Sequence, residues 1–407
     1  MYYFYSKSKM EDEKLVFVKP PTPNGNPLEE VKTNKKEEKN KIEEEDNKEE
    51  NQIDDGDIDI EEEPIIELKT AEDLEKINEK MDRIEINELN SPKILEKINS
   101  VKFEKLEILC LNKTGINSID FLVNNDKFKS LIILELKDNG IKSLEKISQI
   151  RAIDLKVLDL STNQIESIEE LSKVSFKDLE ILIVANNQIK DIKSIPDGSF
   201  TKIKKLDMSN NKIESIDNLG NNESLKSLEF LYLNDNHIKS ISTLKTEVFK
   251  NLKELQLNNN EIEKVDDLEG APFLQLEELM MHGNKIKFID KLCKCKFEKL
   301  KILSLGKNEI ENIEPLEKCP FKLLQKLDLF DNKIMNIEVI EKVPFENIEE
   351  LDLSFNKIKS VEPLLKRRFK KMKDLKIEGN ENLDYSHKNI QKIYEDYNIK
   401  YTFNSIL

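Results

Sequence analysis

The sequence predicts a solenoid, a stack of about twelve short coils, and three regularities carry that prediction. An asparagine returns every 24 or 25 residues, at Asn139, Asn163, Asn187, Asn211, Asn236, Asn260, Asn284, Asn308, Asn332, Asn356 and Asn380, with Thr114 in the same place one period earlier. Aliphatic residues sit five and three before it and two, five and usually eight after it, as Leu351, Leu353, Ile358, Val361 and Leu364 do around Asn356. A phenylalanine follows thirteen or fourteen residues on, at Phe128, Phe176, Phe200, Phe249, Phe273, Phe297, Phe321, Phe345 and Phe369. Self-similarity of this period marks a chain in which each unit buries its apolar edge only against its neighbours.

In chain order, residues 1–64 read as a disordered acidic tail. They carry twenty acids against ten bases, most of the formal charge of −16, and have little bulk to offset the entropy of ordering. Asp55, Asp57 and Asp59 alternate like calcium-loop ligands, but Ile60 stands where such a loop needs its turn glycine, so a solvated linker is the better reading. Residues 65–101 read as an N-terminal cap. Thr70 with Asp73 forms a capping-box-like start to a short amphipathic helix, and IEINEL is a degenerate first strand. Residues 102–380 hold the repeats, and 381–407 close the stack with a helix and a strand through Ile390, Ile393, Tyr394 and Ile399.

The pattern LxLxxNxI resembles the leucine-rich repeat, over roughly residues 84 to 380. The resemblance implies an α/β solenoid, a horseshoe with a parallel β-sheet on its concave side and helical or irregular segments on its convex side. It is similar to the intracellular repeats of phosphatase-regulatory subunits and ciliary adaptors, from which it departs by longer turns and the phenylalanine column. That likeness supplies two alternatives to a general scaffold or adaptor: a phosphatase-targeting subunit, and a structural component of the cytoskeleton or cilium.

The asparagine has a physical reason. Where the chain leaves a short strand, backbone N–H and C=O groups lose their ladder partners. A primary amide has an acceptor and two donors to replace them, and a buried group left unpaired costs roughly 1–3 kcal/mol. The eleven asparagines are therefore expected to form a structural ladder.

Composition excludes several functions. An acidic chain lacks the basic footprint that nucleic acid or anionic membrane requires, so neither is expected as a partner. No run of eighteen apolar residues and no leader-like segment appears, and the chain reads as cytoplasmic. Cys110, Cys293, Cys295 and Cys319 are too few and too irregular for a disulfide framework. Cys295 and Cys319 occupy the slot of Ala271 and Val343, which makes them stacked core thiols; no metal and no cofactor is expected. His237 and His282, two coils apart, are roughly 10 Å distant at strand spacing, and His387 lies in the terminal cap, so catalysis is not expected. The KVSF segment at 173–176 matches a phosphatase docking motif, yet Phe176 belongs to the core column.

A binding face remains. Alternation along a strand puts positions six, four and two before each asparagine on the concave side. Ile133, Val157, Ile181, Ile183, Phe230 and Tyr232 form an apolar group there, extended by Met280 and His282, with Phe330 and Phe355 as a second contact. Contiguous apolar and aromatic side chains mark protein-binding surfaces, while Asp328, Glu350, Asp352 and Asp374 would steer a basic ligand. The competing role for the aliphatics is padding between strands. The expectation is a non-enzymatic platform for one or more unidentified proteins.

Overall fold

A computed structural model describes residues 68–383, apart from 175, 194 and 196–199, and then 388, 392, 393 and 395. The chain divides into two units, Met1–Glu63 and Pro64–Leu407, and every described residue belongs to the second. The acidic tail at 1–64, the loop of Asp55, Asp57 and Asp59, His387, and Ile390, Tyr394 and Ile399 of the terminal closure lie outside the described residues. Ile393 is fully buried.

Thirteen parallel strands form one sheet in strict chain order. Two opening strands have five residues each, β1 (Arg83–Asn87) and β2 (Ile108–Asn112). The others are shorter: β3 (Ile133–Glu135), β4 (Val157–Asp159), β5 (Ile181–Ile183), β6 (Lys205–Asp207), β7 (Phe230–Tyr232) and β8 (Glu254–Gln256). Then follow β9 (Glu278–Met280), β10 (Ile302–Ser304), β11 (Lys326–Asp328), β12 (Glu350–Asp352) and β13 (Asp374–Lys376). Equivalent repeat positions face each other throughout, as in Leu134 with Leu158 and Leu158 with Leu182. The expected α/β solenoid horseshoe with an unclosed parallel sheet is therefore what the chain forms.

A 24-residue coil leaves little room for helix. The return segments are mostly 3-10 turns such as Asp217–Asn221, Ser242–Lys245 and Glu314–Lys318; α1 (Lys93–Ser100) and α2 (Glu362–Lys366) are α-helical, as are Lys388, Lys392, Ile393 and Glu395 near the end of the chain. None is long and apolar enough to cross a membrane. At the start, the Thr70–Asp73 box forms: the Asp73 N–H donates to Thr70 Oγ1 at 3.2 Å and the Thr70 N–H to Asp73 Oδ2 at 2.8 Å. It opens a four-residue 3-10 turn rather than the expected helix.

The phenylalanine column lines the core. Phe273, Phe297 and Phe321 stack with centroids 6.0 and 6.2 Å apart, and Leu225 and Ala152 fill the same column fully buried.

The amides bind coil to coil. Asn187 donates from Nδ2 to the carbonyls of Leu160, Val184 and Ala185 at 3.0, 3.1 and 3.1 Å, while its Oδ1 accepts the Ile165 N–H at 2.9 Å. Leu160 and Ile165 belong to the preceding coil, so one side chain spans two. The pattern persists to Asn380, which takes the Ile358 N–H at 2.9 Å and donates to the Leu353 and Ile377 carbonyls. Thr114 substitutes with a hydroxyl donated to the Leu111 carbonyl, its own N–H going to Asn139 Oδ1. The residue just before each ladder position is left-handed, from Lys113 at φ 56° to Gly379 at φ 70°. Asp, Asn and Gly fill eight of those twelve places because they tolerate that conformation best, a periodicity the sequence also carries.

Removing one rung tests this arrangement. Asn260→Ala strands the Ile238 N–H and removes three donated bonds, for an expected loss of roughly 2–4 kcal/mol in urea unfolding. Phe297→Ala in the core is expected to cost about 3–5 kcal/mol. Exposed Phe288→Ala should stay within about 0.5 kcal/mol of the parent. An Asn260→Ala midpoint no lower than that of Phe288→Ala would remove the ladder from the account.

Candidate functional site

The concave face is not uniform, and its two halves differ in what they leave accessible. In the N-terminal half Ile133, Val157 and Ile181 are 2, 5 and 2% exposed, each lying against the equivalent residue of the next strand. Strands about 4.8 Å apart press these β-branched side chains together, so they pad the sheet and offer a partner little surface. Ile183 is half-buried beside them. Phe230 is half-buried as well, but Tyr232 is only 8% exposed: its hydroxyl donates to Glu254 Oε2 at 3.1 Å and the Lys205 ammonium lies 4.8 Å from its ring centroid.

This middle stretch holds ionisable groups in unusually dry surroundings. Burial raises the Asp159 carboxyl above the ordinary carboxylate range, opposed by the Ser161 hydroxyl and by its N–H, which donates to Oδ1 at 2.8 Å. Burial likewise raises Asp207, and it raises Glu135 with help from the charge of Asp159. Burial lowers the Lys205 ammonium, against the pull of Asp207 and Glu254. The Ser209 N–H donates to Asp207 Oδ1 at 3.0 Å and Asn112 Nδ2 to Glu135 Oε2 at 3.1 Å.

The C-terminal half is open. His282 and Phe330 are half-buried and nearly parallel, with centroids 6.3 Å apart and planes at 10°, although a whole coil separates theirs. That coil carries Gly306: a Cβ there would lie 2.6 Å from His282 Nδ1 and 2.8 Å from either Asp328 carboxylate oxygen. The missing side chain lets His282 Nδ1 reach Asp328 Oδ2, 3.5 Å away. Asp328 also accepts from Ser304 Oγ at 2.7 Å and from the Phe330 N–H at 2.9 Å. Burial works to raise this carboxyl, but hydrogen bonds from His282, Ser304 and Phe330 together hold it below the usual value.

Phe330 meets Phe355 edge to face at 5.3 Å, and Phe355 is 51% exposed with its ring over Gly379, where a Cβ would come within 2.8 Å. Lys307 lies over Phe330 at 5.8 Å. Half-buried Met280 begins the same region. The sequence pointed to Met280, His282, Phe330 and Phe355 separately. It gave no sign that Gly306 would join them, because the contact skips a coil.

Other chemistry is sparse. No group of three metal-binding side chains occurs among the described residues. His237 faces Glu261 at 3.5 Å. Burial pushes the Cys295 thiol up to about 12 and the Cys110 thiol higher still, which leaves both unreactive. The cysteine reading needs correcting: Cys319 does not stack on Cys295 as a free thiol but forms a disulfide with Cys293, 26 residues earlier. The 3-10 turn at Leu292–Lys294 directs Cys293 to the next coil, which column alignment alone conceals. Val174 and Phe176 of the KVSF segment are buried.

The buried carboxylates make stability depend on pH. A carboxyl whose folded pKa is raised favours the folded state below its unfolded value near 4, and that contribution is lost as pH climbs through the raised value. Asp159→Asn keeps an oxygen for the Ser161 N–H and removes the charge. Calorimetry should find the variant more stable than the parent at pH 7, with the difference shrinking towards pH 4; a difference that grows on acidification would contradict the assignment.

Comparison with known proteins agrees with this geometry. Residues 177–221 and 226–270 match the family model described as Leucine Rich repeats (2 copies). No curated protein sequence matches the chain. Among solved structures, an internalin, inlF, from Listeria monocytogenes is similar at 26% identity and a TM-score of 0.57, covering 75% of this chain and 88% of the internalin. The ectodomain of the Arabidopsis thaliana receptor kinase GASSHO1/SCHENGEN3 is similar at 18% identity and a TM-score of 0.52, over 75% of this chain and 38% of the receptor chain. InlJ from Listeria monocytogenes follows at 16% and 0.53, over 71% and 56%. Its repeats, its single parallel sheet and these likenesses together give the chain a leucine-rich repeat fold.

Proposed function

We propose that this protein is a non-enzymatic platform, a scaffold or adaptor, that holds a protein partner on the concave face of its solenoid. The observation that carries the reading is the accessible aromatic run His282, Phe330 and Phe355, set in a sheet whose other apolar side chains are mostly packed away. Aromatic side chains are the usual anchors of protein interfaces. The receptor ectodomain of the same fold was solved in complex with CASPARIAN STRIP INTEGRITY FACTOR 2, which fits a binding role for this fold.

The proposal includes a cytoplasmic location, supported by the free thiols of Cys110 and Cys295. The Cys293–Cys319 bond counts against it, since structural disulfides persist mainly in oxidising compartments. Of the two narrower roles, phosphatase targeting has no accessible KVSF motif to work through, because Val174 and Phe176 are core residues. A cytoskeletal or ciliary role is distinguished by what is bound.

Photo-crosslinking from single positions tests the platform. A benzoylphenylalanine at Met280 or Phe230 should trap the same discrete protein, and one at Phe288, 70% exposed and outside the sheet, should not. A phosphatase catalytic subunit in the trapped band would select the first narrow role, and tubulin or dynein chains the second. Trapping from Phe288 alone would overturn the concave platform.

A further inference from the structure

The aromatic run has a chemistry more specific than apolar contact. His282 and Phe330 present near-parallel rings, Phe355 closes the far side edge-on, and the Asp328 carboxylate lies at the base where Gly306 leaves room. Six carboxylates, Asp328, Asp331, Glu350, Asp352, Asp374 and Glu378, stand at or just past β11, β12 and β13, against two lysines there, Lys326 and Lys376. Those lysines are engaged, Lys326 with Glu350 at 2.6 Å and Lys376 with Asp352 and Asp374 at 3.6 Å. The protein's own Lys307 ammonium already lies over the Phe330 ring, which marks that ring face as a position for a cation.

Phe355 adds an argument from the backbone. It takes the left-handed conformation at φ 54° in a column where Asp, Asn and Gly predominate. A bulky residue in that region strains the backbone in a way that the fold does not require, since Asp331 fills the same place one coil earlier. What the phenylalanine adds is an exposed ring against Phe330.

We infer that the ledge formed by His282, Phe330 and Phe355 is a docking site for an arginine-bearing extended segment of a protein partner. This rests on the concave-platform reading and names the partner's chemistry. A guanidinium stacks flat on aromatic faces and offers forked donors to carboxylates, which an ammonium cannot do, so arginine is favoured over lysine. In the complex the arginine takes the place over Phe330 that Lys307 holds in the free protein.

Fluorescence anisotropy with a short fluorescein-labelled glycine-serine-arginine peptide tests the site, with citrulline, lysine and glutamate versions as controls. The arginine peptide should bind the full-length protein about tenfold more tightly than the citrulline peptide, and the glutamate peptide should not bind. Phe330→Ala and Phe355→Ala should each weaken it about fivefold, and Lys307→Ala should strengthen it by a similar factor by vacating the ring. Thermal melts of each variant should match the parent, which separates a lost site from a lost fold. Equal binding of arginine and citrulline peptides, absence of binding, or affinity indifferent to both phenylalanine substitutions overturns the arginine site. If crosslinking from Met280 or Phe230 nevertheless traps a protein, the platform stands and only the ledge assignment falls; if neither experiment finds a ligand, both fall.

Discussion

The structure depends on one repeated interaction, a buried primary amide that reaches from its own coil into the one before. Each asparagine ties its Nδ2 to carbonyls on both sides of the boundary and its Oδ1 to an N–H across it, as Asn308 does with Met281, Leu305, Gly306 and Ile286. Van der Waals packing of leucines would tolerate a slip between coils. Hydrogen bonds at 3.0 Å do not, because a displaced amide leaves its partners unpaired in a dry interior. Register along the whole sheet is therefore set locally, one coil at a time. Surface pairs repeated one coil apart, such as Lys204 with Glu180 and Lys301 with Glu277, echo that register, but exposed ion pairs contribute about 0–1 kcal/mol each and follow it rather than impose it.

Legibility follows from the same fact. Residues whose environment recurs every coil announce themselves by recurring, so the amides, the inward leucines and the phenylalanine column were readable from spacing alone, as were the strands at their places. The left-handed column before each asparagine was readable in principle but diluted, since Lys113, Thr162, Lys307 and Phe355 interrupt it. Contacts that break the period were not readable. His282 reaches Asp328 only because Gly306 intervenes with no side chain, and Cys293 meets Cys319 only because a turn displaces it from its column. Neither follows from counting residues.

The concave aliphatics illustrate a subtler limit. Alternation along the strand assigns Ile133, Val157 and Ile181 to the outward side, but the side of a strand does not determine exposure, and all three are buried. Branched residues in register on adjacent strands cover one another, and the carboxyls beside them are desolvated with them, which is why Glu135 and Asp159 are raised. In the C-terminal half the corresponding rows carry Lys326, Glu350 and Asp374, whose charged ends need water. The open part of the face is thus the polar part, and the aromatics within it are exposed because their neighbours cannot cover them.

A stack held together from inside leaves its concave rows free to vary. The ladder amides meet position two before the asparagine only at its backbone carbonyl, so a side chain at positions four or two can be chosen without changing how the coils stack. Against that freedom, the residues that run counter to local preference carry information. Phe355 accepts a strained backbone to hold an exposed ring, Gly306 gives up a side chain so that an imidazole and a carboxylate can meet over it, and Gly379 lies bare under the Phe355 ring. Each departure on its own is a local curiosity. Gly306, Phe355 and Gly379 lie within four consecutive coils and meet around the rings of Phe330 and Phe355, so they act on one surface.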